Sequence, residues 1–131
     1  MTSITPMRWM RRVAPLGVVL TLLSACGSAR RAPGEPPPVL IFSNESLDQA
    51  TVYVVAPGMD FRRVGTVIAG RTDTLQVPVE FARRGTVNIV ARLLARSEVP
   101  QTGPVSLRPG EHYQVRLQVD GRVLSFLPGG T

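Results

Sequence analysis

The chain has 131 residues, and its 15 basic residues, every one an arginine, outweigh 9 acids to give a net charge of +6. That length permits one small domain. One cysteine and one histidine exclude an internal disulfide framework, a Cys-rich zinc site and a His-cluster metal site. The first 38 residues carry no pattern of a folded element. Residues 1–12 hold Arg8, Arg11 and Arg12 and no acid, and residues 13–23 (VAPLGVVLTLL) form a short apolar run. A basic start, an apolar stretch and small residues after it make a secretory signal. Eleven apolar residues are too few for a membrane-spanning helix, which needs roughly 20.

The apolar run ends in Leu23-Ser24-Ala25-Cys26. An aliphatic residue, two small residues and then a cysteine, behind a basic and apolar leader, resembles the lipobox of bacterial lipoproteins. The resemblance covers residues 1–27. It implies diacylglyceryl transfer to the sulfur of Cys26, cleavage between Ala25 and Cys26 by signal peptidase II, and acylation of the new amino group. A thiol suits this chemistry because its thiolate is the nucleophile that takes up the lipid. Two or three acyl chains, at about 0.8 kcal/mol per buried methylene, hold a protein firmly where one chain holds it marginally. Position 27 is Gly, where many enteric-type lipoproteins retained in the inner membrane have Asp. The resemblance therefore implies an outer-membrane address facing the periplasm or the surface.

Residues 26–38 (CGSARRAPGEPPP) follow as a tether, rich in small residues and proline. Pro-rich segments favour extended conformations of about 3.1 Å per residue, so residues 27–38 reach on the order of 35–40 Å. Removing residues 1–25 takes away three arginines and no acid, leaving 12 − 9 = +3. Residues 39–131 carry 10 arginines and 8 acids, or +2. The excess of positive charge thus belongs mostly to segments outside the domain, and a nucleic-acid partner, which needs a concentrated basic face with aromatic platforms, is not expected.

From residue 39 onward, short alternating runs recur every 8–12 residues between Gly and Pro, the signature of an all-β domain. Strands are expected at Val39–Phe42, Thr51–Ala56 and Arg62–Ile68, the last bulged at Gly65 because Val64 and Val67 are out of phase. In Thr51–Ala56, Val52 and Val54 share one side, Tyr53 and Val55 the other. A strand over Thr74–Val79 groups Leu75, Val77 and Val79, with Pro78 marking an edge or a strand end. Thr86–Leu94 turns Val87, Ile89, Ala91 and Leu93 inward and Thr86, Asn88 and Arg92 outward. A short strand around Val105–Leu107 and a clean one over Glu111–Val119 come next. In the latter Tyr113, Val115, Leu117 and Val119 face one way and His112, Gln114, Arg116 and Gln118 the other. Pro57-Gly58 and Pro109-Gly110 read as type II turns. Asp120-Gly121, followed by Arg122–Leu127, reads as a two-residue hairpin with positive φ at both positions. Its register sets Val119 opposite Arg122, Leu117 opposite Leu124 and Val115 opposite Phe126. Seven or eight such strands make an antiparallel two-sheet sandwich of immunoglobulin or transthyretin-like kind, with a small β-barrel as the alternative.

Motifs that carry chemistry are sparse. His112 sits on a water-facing position. Asp60, Asp73, Glu80, Glu98 and Asp120 lie in or beside turns, where such side chains bond the backbone. The glycines are scattered one per turn rather than gathered into a phosphate loop. Asn44-Glu45-Ser46 matches a glycosylation acceptor by accident, and Arg62-Arg63 and Arg83-Arg84 read as solvated charge that discourages edge pairing. The candidate binding surface is the polar face of two strands, Asn88 and Arg92 with Gln114, Arg116 and Gln118, whose guanidinium and amide groups suit carboxylates, phosphates or sugar hydroxyls. The expected protein is a lipid-anchored cell-envelope module with a structural or interaction role. It has no catalytic residue, cofactor or metal. Its partners are membrane lipid through acylated Cys26 and an envelope protein or polysaccharide. The alternative is a small-ligand lipoprotein that binds glycans or anions.

Overall fold

A computed structural model describes residues 34–129; the lipobox, Cys26 and most of the tether lie outside the described residues. Eight strands run β1 Val39–Asn44, β2 Ala50–Val55, β3 Arg62–Val67, β4 Thr72–Gln76, β5 Val87–Leu93, β6 Gln101–Val105, β7 His112–Leu117 and β8 Leu124–Leu127, with a single helical turn α1 at Val79–Ala82 between β4 and β5. They form two four-stranded sheets, ordered β4-β1-β7-β8 and β3-β2-β5-β6, called here sheets A and B. All pairings are antiparallel except β1 with β7, which is parallel. The fold is an all-β two-sheet sandwich and no barrel closes. In immunoglobulin domains the first strand neighbours the second, whereas here β1 lies between β4 and β7.

Alternation builds the core. In β1, Leu40 and Phe42 turn inward; in β2, Ala50, Val52 and Val54; in β5, Val87, Ile89, Ala91 and Leu93; in β7, Tyr113, Val115 and Leu117, all buried. Each fully buried aliphatic side chain of this size stabilises the fold by about 1.5–3 kcal/mol. The bulge in β3 falls where the phase break suggests: Gly65 pairs with Val52 and Arg63 with Tyr53, leaving Val64 between them. Gly65 is also a point of close approach, since a Cβ there would stand 2.5 Å from Leu75 Cδ2. Both expected type II turns are present, with Gly58 at φ 73° and Gly110 at φ 75°, closed by Met59 N–H to the Ala56 carbonyl and Glu111 N–H to the Arg108 carbonyl.

The β7–β8 hairpin keeps the expected register, with Leu117 opposite Leu124 and Val115 opposite Phe126. Its turn differs. Gly121 alone takes positive φ (68°); Gly121 N–H bonds the Gln118 carbonyl and Gln118 N–H bonds the Val123 carbonyl. Asp120 stays at negative φ, and its Oδ1 accepts from Arg122 N–H. The connection is therefore wider than two residues, and Val119 is 61% exposed rather than on the inward face.

Two further expectations are corrected. Val79 does not extend a strand: β4 ends at Gln76 and Val79 opens α1, whose N-cap is Pro78. Leu75 and Val77 are buried as expected, and α1 then swings Phe81 back into the core at 2% exposure. The sixth strand is Gln101–Val105, four residues earlier than expected, although Leu107 still reaches the core. At the start of the domain, Pro38 is buried and its carbonyl accepts from Val77 N–H at 2.9 Å. Glu35 pairs with Arg83 at 3.1 Å. The fold thus takes in residues that the sequence assigns to the tether.

Candidate functional site

Residues facing outward from sheet B follow from its register. Tyr53 on β2 stands beside Arg63 of β3 and Val90 of β5; Val90 pairs with Gln101 of β6; Thr51 pairs with Arg92. Val90 occupies an outward position, between Asn88 and Arg92, yet it is only 6% exposed. It lines a shallow groove of about 490 Å³ together with Tyr53, Phe61, Arg92 and Val99. Phe61 precedes β3 and Val99 precedes β6, and they remain 69% and 49% exposed. A sheet face of this kind departs from the apolar-in, polar-out alternation of a solvated antiparallel sheet.

Arg92 is the one charged side chain lining the groove and Arg63 stands beside Tyr53, while the acids Asp60 and Glu98 precede Phe61 and Val99 without lining it. Five arginines of the described residues pair with acids: Arg62 with Glu80, Arg83 with Glu35, Arg96 with Asp48, Arg108 with Glu111 and Arg116 with Glu45. Among the described residues, Arg63 and Arg92 make no ion pair. Arg63 donates from Nη2 to Thr66 Oγ1 at 2.6 Å, which leaves the rest of its guanidinium for other acceptors.

The five residues expected to share a binding surface are separated. Asn88 and Arg92 lie on β5 in sheet B; Gln114 and Arg116 lie on β7 in sheet A, and Gln118 follows β7 in its hairpin loop. The outer faces of the two sheets point away from each other, so no single ligand spans them. Asn88 donates from Nδ2 to Gln101 Oε1 at 2.8 Å while its Oδ1 is buried without a partner. It borders a smaller hollow of about 220 Å³ with Val55, Pro57, Thr86 and Pro104. Arg116 is engaged by Glu45 at 3.2 Å, and with Gln118 it lines a polar hollow near the hairpin. Of the five, only Arg92 enters the apolar groove.

Tyr53, Phe61, Val90 and Val99 are the groove residues that sequence reasoning missed. A signal was available: Tyr53 and Val90 are apolar or aromatic at positions where the alternation calls for polar side chains. Phe61 and Val99 gave none, because they come from loops.

A second cluster is structural. Asn44, almost fully buried, donates from Nδ2 to the carbonyls of Asp48 and Val67, and its Oδ1 accepts from the backbone N–H and hydroxyl of Ser46. Asp48 Oδ2 accepts from Arg96 Nε at 2.7 Å, and Arg96 Nη1 donates to the Asp120 carbonyl. This network ties the β1–β2 connection to β3, to the segment after β5 and to the β7–β8 hairpin. The Asn44-Glu45-Ser46 match is therefore a buried polar joint.

No family model matches the chain, and no curated protein matches it either.

Proposed function

We propose that this protein is a lipid-anchored module of the bacterial cell envelope whose role is interaction rather than catalysis. The reading is carried by the order of features along the chain. Leu23-Ser24-Ala25-Cys26 stands behind a basic, apolar leader, with 12 residues between Cys26 and Val39, where the sandwich's first strand begins. A lipid on Cys26 would then sit outside the fold, and the domain would be held near a bilayer by a short Pro-rich connection. With Gly at position 27, the outer membrane is the proposed address. A second reading is a small-ligand lipoprotein for glycans or anions; its anion form is the one Arg92 favours, bringing a guanidinium to an aromatic-lined groove.

The test of the anchor is direct. Cells producing the full chain are fed a clickable fatty acid, and the membrane fraction is separated. The wild type is expected to be labelled and membrane-bound. Cys26→Ser is expected to be unlabelled, and either uncut or released. A wild-type protein that takes up no fatty acid, or whose exported form carries residue 26 unmodified, overturns the proposal.

A further inference from the structure

We propose that the outer face of sheet B is the docking surface for an acidic segment of another protein that carries an apolar anchoring side chain. The inference deepens the interaction reading above and rests on it. Its first support is the groove itself. Val90 is buried on the wrong side of a sheet for core packing, and its neighbours Phe61 and Val99 keep most or half of their surface in water. Exposed aromatic surface beside a buried aliphatic floor is the composition of a binding hot spot, where Tyr and Arg are enriched and a pocket accepts one side chain.

Charge complementarity chooses the occupant. Tyr53 is flanked in register by Arg63 and Val90, and Arg92 lines the groove. Neither arginine has a carboxylate partner among the described residues; Arg71, Arg84 and Arg122 have none either, but none of those three lines the groove or pairs with Tyr53. A partner bringing carboxylates to both rims would form charge-assisted, potentially bidentate bonds. A second copy of this chain presenting the same face would instead set arginine against arginine. A glycan is the poorer fit, because sugar recognition needs many convergent polar groups. The groove lining offers only the Tyr53 hydroxyl and the Arg92 guanidinium for that purpose.

The experiment uses the full chain, purified in a non-ionic detergent. The probes are fluorescein-labelled synthetic peptides read by anisotropy. One is acidic with apolar anchors, Asp-Asp-Leu-Asp-Phe-Asp-Asp. A second replaces Asp by Lys, and a third replaces Leu and Phe by Ser. Oligogalacturonate serves as an anionic glycan competitor. The acidic apolar peptide is expected to bind at least about tenfold more tightly than either counterpart. R63E/R92E is expected to lose about tenfold for it and to accept the lysine peptide instead. Phe61→Ser, at an exposed position and with its fold checked by circular dichroism, is expected to weaken binding several-fold. Arg116→Glu, on sheet A, is expected to change nothing. Equal affinity for acidic and lysine peptides, no response to R63E/R92E, or displacement of the peptide by oligogalacturonate at comparable concentration would overturn the proposal. Fatty-acid labelling of the same preparation reads the anchor separately. A labelled protein that ignores the peptides defeats the docking surface alone, and an unlabelled one that binds them supports the surface while defeating the anchor.

Discussion

Tyr113 shows how much one side chain can fasten. Its ring is buried in the core and stacks on Phe126 with centroids 5.4 Å apart. Its hydroxyl accepts from Arg108 N–H at 2.7 Å and donates to Glu111 Oε2 at 2.8 Å, closing the turn that leads into β7. Burial first, and then the hydrogen bond to Glu111, push the phenol above its ordinary value of 10.0. The folded state therefore holds that proton more tightly than the unfolded chain does. The corresponding stability is complete below about pH 10 and is lost as pH rises through the raised value. Urea unfolding between pH 8 and 11.5 checks this: the wild type is expected to lose stability on the alkaline side more steeply than Tyr113→Phe, and parallel curves would refute it. The inward face of Tyr113 was legible from alternation; its partners were not, because Arg108 and Glu111 meet it only through a turn. Asn44 makes the same point more sharply. In sequence it is part of a surface glycosylation match, yet it is buried because Val67, 23 residues on, offers it a carbonyl.

At the level of elements, period-two alternation located seven of the eight strands to within a few residues, since burying one face of each is the condition for the sandwich, while the sixth meets its expected span only at Val105. The exceptions have local causes. A four-residue helix is too short to display a 3.6-residue period, so α1 gave no signal where the expected strand ended at Val79, with Val77 and Phe81 its only hint. The hairpin after β7 kept its register because Val115 and Leu117 must face Phe126 and Leu124, but Asp120 stays at negative φ and the turn is wider. Gly121 holds that hairpin. A Cβ there would stand 2.8 Å from Leu93 Cδ1 and 3.0 Å from Arg96 Nη1, at a φ of 68°. Gly121→Ala is therefore expected to destabilise the fold by about 1–3 kcal/mol. The check is the urea midpoint at unchanged m-value, which registers stability rather than a change in compactness. A midpoint equal to wild type would show that the hairpin tolerates the added carbon.

For the molecule as a whole, fold class was readable and strand order was not. Nothing local announces that β1 must pair in parallel with β7, setting Val39 beside His112. That gap is why two groups of polar residues on β5 and β7 looked like one surface and are two. The groove escaped notice for the related reason that two of its walls come from loops. The same non-local pairing governs folding. Sandwiches built on distant contacts close costly loops before those contacts reward them, and they fold on the order of milliseconds to seconds. The fastest refolding phase of Cys26→Ser by stopped-flow circular dichroism is expected in that range, with slower phases from isomerisation among its 12 prolines. Microsecond refolding would mean that local structure, rather than the β1–β7 pairing, sets the barrier.

The seating of residues 35–38 has a mechanical corollary. Tension applied N-terminal of Glu35 meets the Glu35–Arg83 ion pair and the Pro38–Val77 hydrogen bond before it reaches β1. There it acts lengthwise on a strand bonded on both flanks, so rupture requires many hydrogen bonds to shear together instead of peeling one after another. A domain tugged by its tether in this way yields at its doorstep before its core gives.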